Sequence, residues 1–178
     1  HEYEMLRDLS RMEAPSVQPT AVVTGRRNAQ GDELNAVLVT EHLEFSLPYR
    51  ALFSRKITAE TVNRLLDALA VLLVRLHLLG FFWGDVSLSN TLFRRDAGSY
   101  SAYLVDAETG DLQAKLTDGQ RNYDVDLART NIIGELMDLQ AGGFLPDDEA
   151  PIEIGNRIQE RYNQLWEELT GEELIDAD

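Results

Sequence analysis

Cysteine is absent from the 178 residues, so the chain carries neither disulfides nor a thiolate metal site, which suits a reducing cytoplasm. Basic residues are scarce: 16 Lys and Arg stand against 31 Asp and Glu, a formal net charge of −15. That surplus speaks against nucleic acid and against anionic membrane surfaces as partners. Long apolar runs are missing as well. The most apolar stretch, Ala68–Val74, is far too short for a membrane span and is flanked by Asp67 and Arg75, so no integral membrane segment is expected. There is no internal repeat, no signal peptide and no Gly-x-Gly-x-x-Gly. What is present, 44% hydrophobic and 26% charged residues, describes a folded chain with room for one domain or one lobe of a larger one. Acids accumulate toward the end, at Glu167, Glu168, Glu172, Glu173, Asp176 and Asp178, and read as a solvated tail.

Apolar residues at Met5, Leu6, Leu9 and Met12 share one helical face, so Glu2–Met12 is predicted to be a helix bounded by Pro15 and Pro19. Ala21–Thr24 and Asn35–Thr40 read as the strands of a hairpin around the polar turn Asn28–Asp32. Thr58 is placed to cap the longest helix, which runs to Leu79 with Val62, Leu65, Leu69, Leu72, Leu73 and Leu76 along its inner stripe. Gly80 is its expected stop. A second hairpin joins Thr91–Phe93 to Ala102–Val105 through a turn over residues 94–99. After a polar segment from Glu108 to Tyr123, helices are predicted over Asp126–Leu139, stopped by Gly142-Gly143, and over Ile154–Leu169. The order predicts an α+β fold with most of its mass helical.

The stretch from Leu76 to Asp106 concentrates the chemistry. The long helix ends at Gly80, and a loop presents Asp85; Asn90 follows five positions later, at the mouth of a strand. A second strand delivers Asp106. Two carboxylates and an amide, each at the edge of an apolar element, suit metal-assisted phosphoryl transfer. One acid orients the attacking hydroxyl, while the amide and the other acid hold Mg²⁺ against the phosphates. His77, on the apolar helix, reads as a buried, hydrogen-bonded histidine rather than a base. Phe81, Phe82 and Trp83 read as packing, and Arg94 and Arg95 as solvated turn residues. Arg121 lies where a substrate would approach.

The phrases L-H-L-L-G-F-F-W-G-D-V-S-L-S-N-T-L-F-R-R-D-A-G and A-Y-L-V-D-A-E-T-G resemble an uncharacterised bacterial family of protein-kinase-like proteins grouped with lipopolysaccharide kinases. The resemblance implies a protein-kinase-like fold. Residues 1–43 would be the remnant of an N-lobe up to the hinge, an αC-type helix and one hairpin, and residues 44–178 a helical C-lobe with an acidic tail. The Gly-rich loop and phosphate-binding lysine would lie upstream of His1, making the sequence a fragment that is inactive alone. The resemblance makes Asp85 the catalytic aspartate and Asn90 and Asp106 the metal ligands. Glu2 takes the place of the αC glutamate, with Glu4 as its competitor. Glu41 and Leu43 would meet adenine through their backbones, with Thr40 as gatekeeper. Asp126, or Asp124, would brace the catalytic loop from behind.

The departures from the family pattern carry information. Trp83-Gly84-Asp85 replaces His-Arg-Asp, removing the arginine that reads a phosphorylated activation loop. Ser87 stands where kinases carry a catalytic cation or histidine, and Asp106-Ala107-Glu108 replaces Asp-Phe-Gly. Only 20 positions separate Asp106 from Asp126, with no Ala-Pro-Glu, which leaves no segment to dock a polypeptide substrate. The expectation is a cytoplasmic, ATP- and Mg-dependent phosphotransferase acting on a small-molecule or glycan hydroxyl. The alternative is a pseudokinase or nucleotide-binding interaction module without turnover. The sequence carries no signal for oligomeric state.

Overall fold

The computed structural model describes residues 1–53 and 57–171. The acids Glu172, Glu173, Asp176 and Asp178 of the expected tail lie outside the described residues. The chain opens with helix α1 (Glu2–Arg11), which buries Leu6 and Leu9. Strands β1 (Pro19–Val23) and β2 (Val37–Thr40) pair antiparallel, from Pro19 opposite Thr40 to Val23 opposite Val37. At the hairpin tip the Asn28 carboxamide oxygen accepts from the amides of Gln30 and Asp32, at 3.0 and 2.8 Å.

A three-residue strand β3 (Ser46–Pro48) and a short helix α2 (Tyr49–Phe53) follow. The long helix α3 (Ala59–Leu78) then begins where Thr58 accepts from the Thr61 amide, and it ends on Gly80 at φ +84°. A side chain at Gly80 would run into the Gln113 carbonyl, so the stop is also a close approach of two backbones. That approach is where β4 (Phe81–Phe82) pairs with β7 (Asp111–Leu112). Between them, β5 (Thr91–Asp96) and β6 (Ser99–Leu104) form the second hairpin, and β3 completes a sheet of order β3-β5-β6. Helices α4 (Asp118–Ala141) and α5 (Pro151–Gly171) close the helical layer.

The core runs along α3. Leu69, Leu73, Val74 and Leu76 have no exposed surface, and Phe93, Leu104, Ile132, Ile158 and Tyr162 pack into the same cluster from the sheet, α4 and α5. Burying each such aliphatic side chain stabilises by about 1.5–3 kcal/mol.

Several elements differ from the sequence expectation. The β5–β6 turn is two residues, Ala97 and Gly98, both with positive φ, so Arg94 and Arg95 are strand residues and not turn residues. Helix α4 starts at Asp118, eight residues before the expected Asp126, because Thr117 and Gln120 form a reciprocal capping box. The polar segment before it also holds β7. Finally, β3 was not expected, since Pro48 and a three-residue length hide it from any periodicity.

Candidate active site

The backbone from Trp83 to Asn90 is a loop without regular structure, so its polar groups need partners from elsewhere. Helix α4 supplies them from one stripe. Asp124 accepts from the amides of Trp83 (2.8 Å, Oδ2) and Gly84 (2.8 Å, Oδ1). Two turns further on, the Asn131 carboxamide donates to the Val86 carbonyl at 2.9 Å. Then Glu135 accepts from the Leu88 and Ser89 amides, each at 2.9 Å, and from the Ser89 hydroxyl at 2.7 Å. Spacings of seven and four bring the three side chains onto a single helical face, beside buried Ala128 and Ile132. Asp124 is fully buried and Asp126 is exposed, so the bracing aspartate is Asp124; the first-named candidate, Asp126, faces away.

Asp124 has a third donor. His77 Nε2 lies 3.0 Å from its Oδ2, and His77 Nδ1 lies 2.7 Å from the Tyr162 hydroxyl. The Asp124 carboxylate, already accepting from two amides, accepts from His77 Nε2–H as well. Burial raises the Tyr162 phenol above its ordinary value, so its hydroxyl stays protonated beside Nδ1. His77 is thus a buried, hydrogen-bonded histidine. Arg121 belongs to the same cluster. Its guanidinium sits 3.9 Å over the Trp166 ring and 2.6 Å from Asp118, so it is spent on α5 packing and not on the loop surface.

On the other side of the loop, Asn90 Nδ2 donates to both the Asp85 carboxylate (2.8 Å) and the Asp85 carbonyl (3.1 Å). The Asn90 carbonyl accepts from the Val105 amide at 3.1 Å, which brings the backbone just past β6, where Asp106 follows, alongside Asn90. Trp83 makes the second tie. Its indole N–H donates to the Asp106 carbonyl at 3.1 Å, and its own carbonyl accepts from Thr109 at 2.8 Å. Trp83 is packing, as its sequence context suggested, and it also couples the two loops.

The other expected site residues fall as follows. Glu2, on the first turn of α1, is half-buried next to the Asp106 loop. Burial first, and then the Asp106 and Glu108 carboxylates, push its pKa up, while the Ala107 amide opposes the shift. Glu4, its competitor, is exposed. Ser87 is buried, its hydroxyl accepting from the Asn90 amide and lying 3.1 Å from Ser89 Oγ, so it shapes the turn from inside. Thr40 is exposed at the end of β2. The Glu41 amide donates to Gln18 at 2.8 Å, leaving the Glu41 carbonyl and the Leu43 amide without partners among the described residues.

Of the stripe Asp124–Asn131–Glu135, Asp124 was anticipated as the alternative to Asp126, while Asn131 and Glu135 were missed from sequence. The stripe's signal was there: three polar residues on the apolar face of a helix. The chain matches the family described as "Lipopolysaccharide kinase (Kdo/WaaP) family" over residues 1–135. The chain belongs to the lipopolysaccharide kinase (Kdo/WaaP) family. Among solved structures it is similar to WaaP in complex with acyl carrier protein, with a TM-score of 0.62 at 14% identity. The match covers 91% of this chain and 64% of that one, so the chain spans less than two thirds of its structural relative. No curated protein sequence matches it. The shared fold is protein-kinase-like, and within this lipopolysaccharide kinase family member the Trp83–Asn90 loop, α4 and the β5–β6 hairpin are the parts that carry the cluster of Asp85, Asn90 and Asp106. No helix among the described residues is long and apolar enough to cross a membrane.

Proposed function

We propose that this chain is the catalytic region of an ATP-dependent phosphotransferase that moves the γ-phosphate to a small-molecule or glycan hydroxyl. The observation that carries the reading is the Asn90–Asp85 hydrogen bond beside a strand end that delivers Asp106. Asp85 orients the acceptor hydroxyl and takes its proton. Glu2 holds the phosphate-binding lysine, and the free Glu41 carbonyl and Leu43 amide meet adenine, with Thr40 behind them. A polypeptide acceptor is disfavoured by the short chain between Asp106 and α4; a glycan acceptor agrees with the family.

The donor set fits Mg²⁺. Among the described residues no cluster of three or more His, Cys, Asp or Glu side chains forms a cage. None is needed, because Mg²⁺ in such sites takes one or two protein ligands and completes its shell with phosphates and water. With Nδ2 committed to Asp85, the Asn90 carboxamide oxygen is available, and Asp106 uses only Oδ1, on the Glu108 amide at 2.9 Å. Asn90 and Asp106 would hold the ion, which when bound neutralises charge developing on the phosphates.

The test uses the full-length protein. ATP with Mg²⁺ at about 100 times its Kd should stabilise it by roughly 2.7 kcal/mol, read as a rise in Tm. Asp106→Ala should remove the metal-dependent part of that rise, and an unchanged rise would refute the metal assignment. A second reading, a nucleotide-binding module without turnover, is favoured by one observation. Ser87 turns inward, and no Lys or Arg pairs with Asp85 among the described residues. ATP binding without transfer to any of a panel of sugar acceptors would select it.

A further inference from the structure

A groove of about 910 Å³ lies on the opposite side of the β5–β6 hairpin, between the outer edge of β6 and helix α3. Ladder parity shows what β6 offers to it. The Leu104 amide and carbonyl point away from β5, bonding Pro15 and Val17 at 2.9 Å each. Alternate residues share that direction, so the N–H and C=O groups of Tyr100 and Ala102 also point away from β5, into the groove. They have no partner among the described residues. Ala102 is only 6% exposed, so these are sheltered backbone groups and not a fully wetted edge. Ala68, Val71 and Leu72 of α3 form the facing wall, and Val71 is left 45% exposed on it.

We propose that this groove docks an extended segment of a partner protein, which adds to the β3-β5-β6 sheet as a fourth strand beside Tyr100–Ala102. A polypeptide is the occupant because alternating donors and acceptors at strand spacing match another backbone, and match neither a sugar nor a nucleotide. Pro15–Val17 already pairs with β6 at Leu104 and closes that end. At the other end Arg64 donates to the Gly98 carbonyl at 2.6 Å, so the segment enters beside the Ala97-Gly98 turn once the exposed Arg64 side chain swings aside. Its inward side chains are small and apolar, to lie on Ala68, Val71 and Leu72. Two charged lining side chains, Glu13 and Arg75, have no ion-pair partner among the described residues, whereas Arg64 is held by Glu60 and Asp67 by Arg161. The segment therefore carries one residue of each charge sign flanking its apolar centre. The inference is independent of phosphotransfer and stands whether or not the protein binds ATP.

The test starts from short random peptides selected on the full-length protein for binding. The best binder should protect the Tyr100 and Ala102 amides from hydrogen exchange while leaving Leu104 unchanged. Val71→Asp should weaken binding by at least about tenfold, since it removes a buried apolar contact. Arg75→Glu should weaken it severalfold and be restored by reversing the peptide's acidic residue. Both positions are exposed, and an unchanged Tm confirms that the variants fold. A binder that leaves both amides unprotected or is indifferent to Val71→Asp overturns the proposal, as does a selection that yields none.

Discussion

The Trp83–Asn90 loop and the β1–β2 hairpin are held in opposite ways. The loop has no regular structure, yet six of its residues are tied by side chains of α4 or by Asn90. The hairpin has regular pairing, yet Val22, Val23, Val37 and Val39 are 37–43% exposed, and β2 reaches the core through the partly buried Leu38. Hydrogen-bonded regularity is therefore not the measure of rigidity in this molecule; buried anchoring is. The groups that would move the proton and hold the metal stand on the fixed side, and those that would grip adenine stand on the looser one.

That contrast can be broken by mutation. The largest effect is expected for Asp124→Ala, which strands the Trp83 and Gly84 amides and His77 Nε2 at a fully buried position. It should cost about 3–5 kcal/mol, seen as a lower urea midpoint at constant slope. A loss under about 1 kcal/mol would show that the loop does not depend on α4. Glu135→Ala, half-buried, should cost about 1–2 kcal/mol by the same measurement.

A smaller effect is expected at Glu2, and its sign follows from linkage. The folded-state pKa is raised, so between the unfolded and folded values the native state holds more protons and stability falls as pH rises. Glu2→Gln should match the wild type below the ordinary carboxylate range and melt higher at neutral pH. The gain is modest because the group is half-exposed and screened. Equal Tm values across the range would remove the carboxylate crowding from the picture. The smallest change is expected for Val37→Thr on the hairpin, within about 0.5 kcal/mol in the same urea titration; a larger loss would mean that the hairpin is better anchored than its exposure indicates.

The elements that punctuate themselves were readable from sequence. Thr58 and Gly80 bracket α3 to within a residue, and Gly142-Gly143 stops α4 with Gly143 at φ +75°, because caps and left-handed glycines act locally. Spacing singled out Asp85, Asn90 and Asp106, and the fold brings Asn90 onto Asp85. The support beneath them was not. Helix α4 mixes polar residues into its buried face because it must satisfy a loop as well as fill a core, so its apolar period is blurred and its first eight residues escaped notice. Asp124 and Asp126 differ by two positions and by a half-turn of helix, a distinction that only the register of the whole helix decides. The strand β3 was hidden for a different reason: its identity comes from β5, its partner, and not from its own three residues.

The Trp83 contact with Asp106 has an optical consequence. The chain holds two tryptophans, and they sit in unlike surroundings: Trp83 is sealed from water with its N–H on a backbone carbonyl, and Trp166 is half-exposed, stacked on Tyr162 with Arg121 over its face. Replacing Trp166 with Phe would leave a single emitter positioned between the loop of Asp85 and that of Asp106. Its colour and anisotropy would then follow the separation of those two loops in real time, without any attached dye.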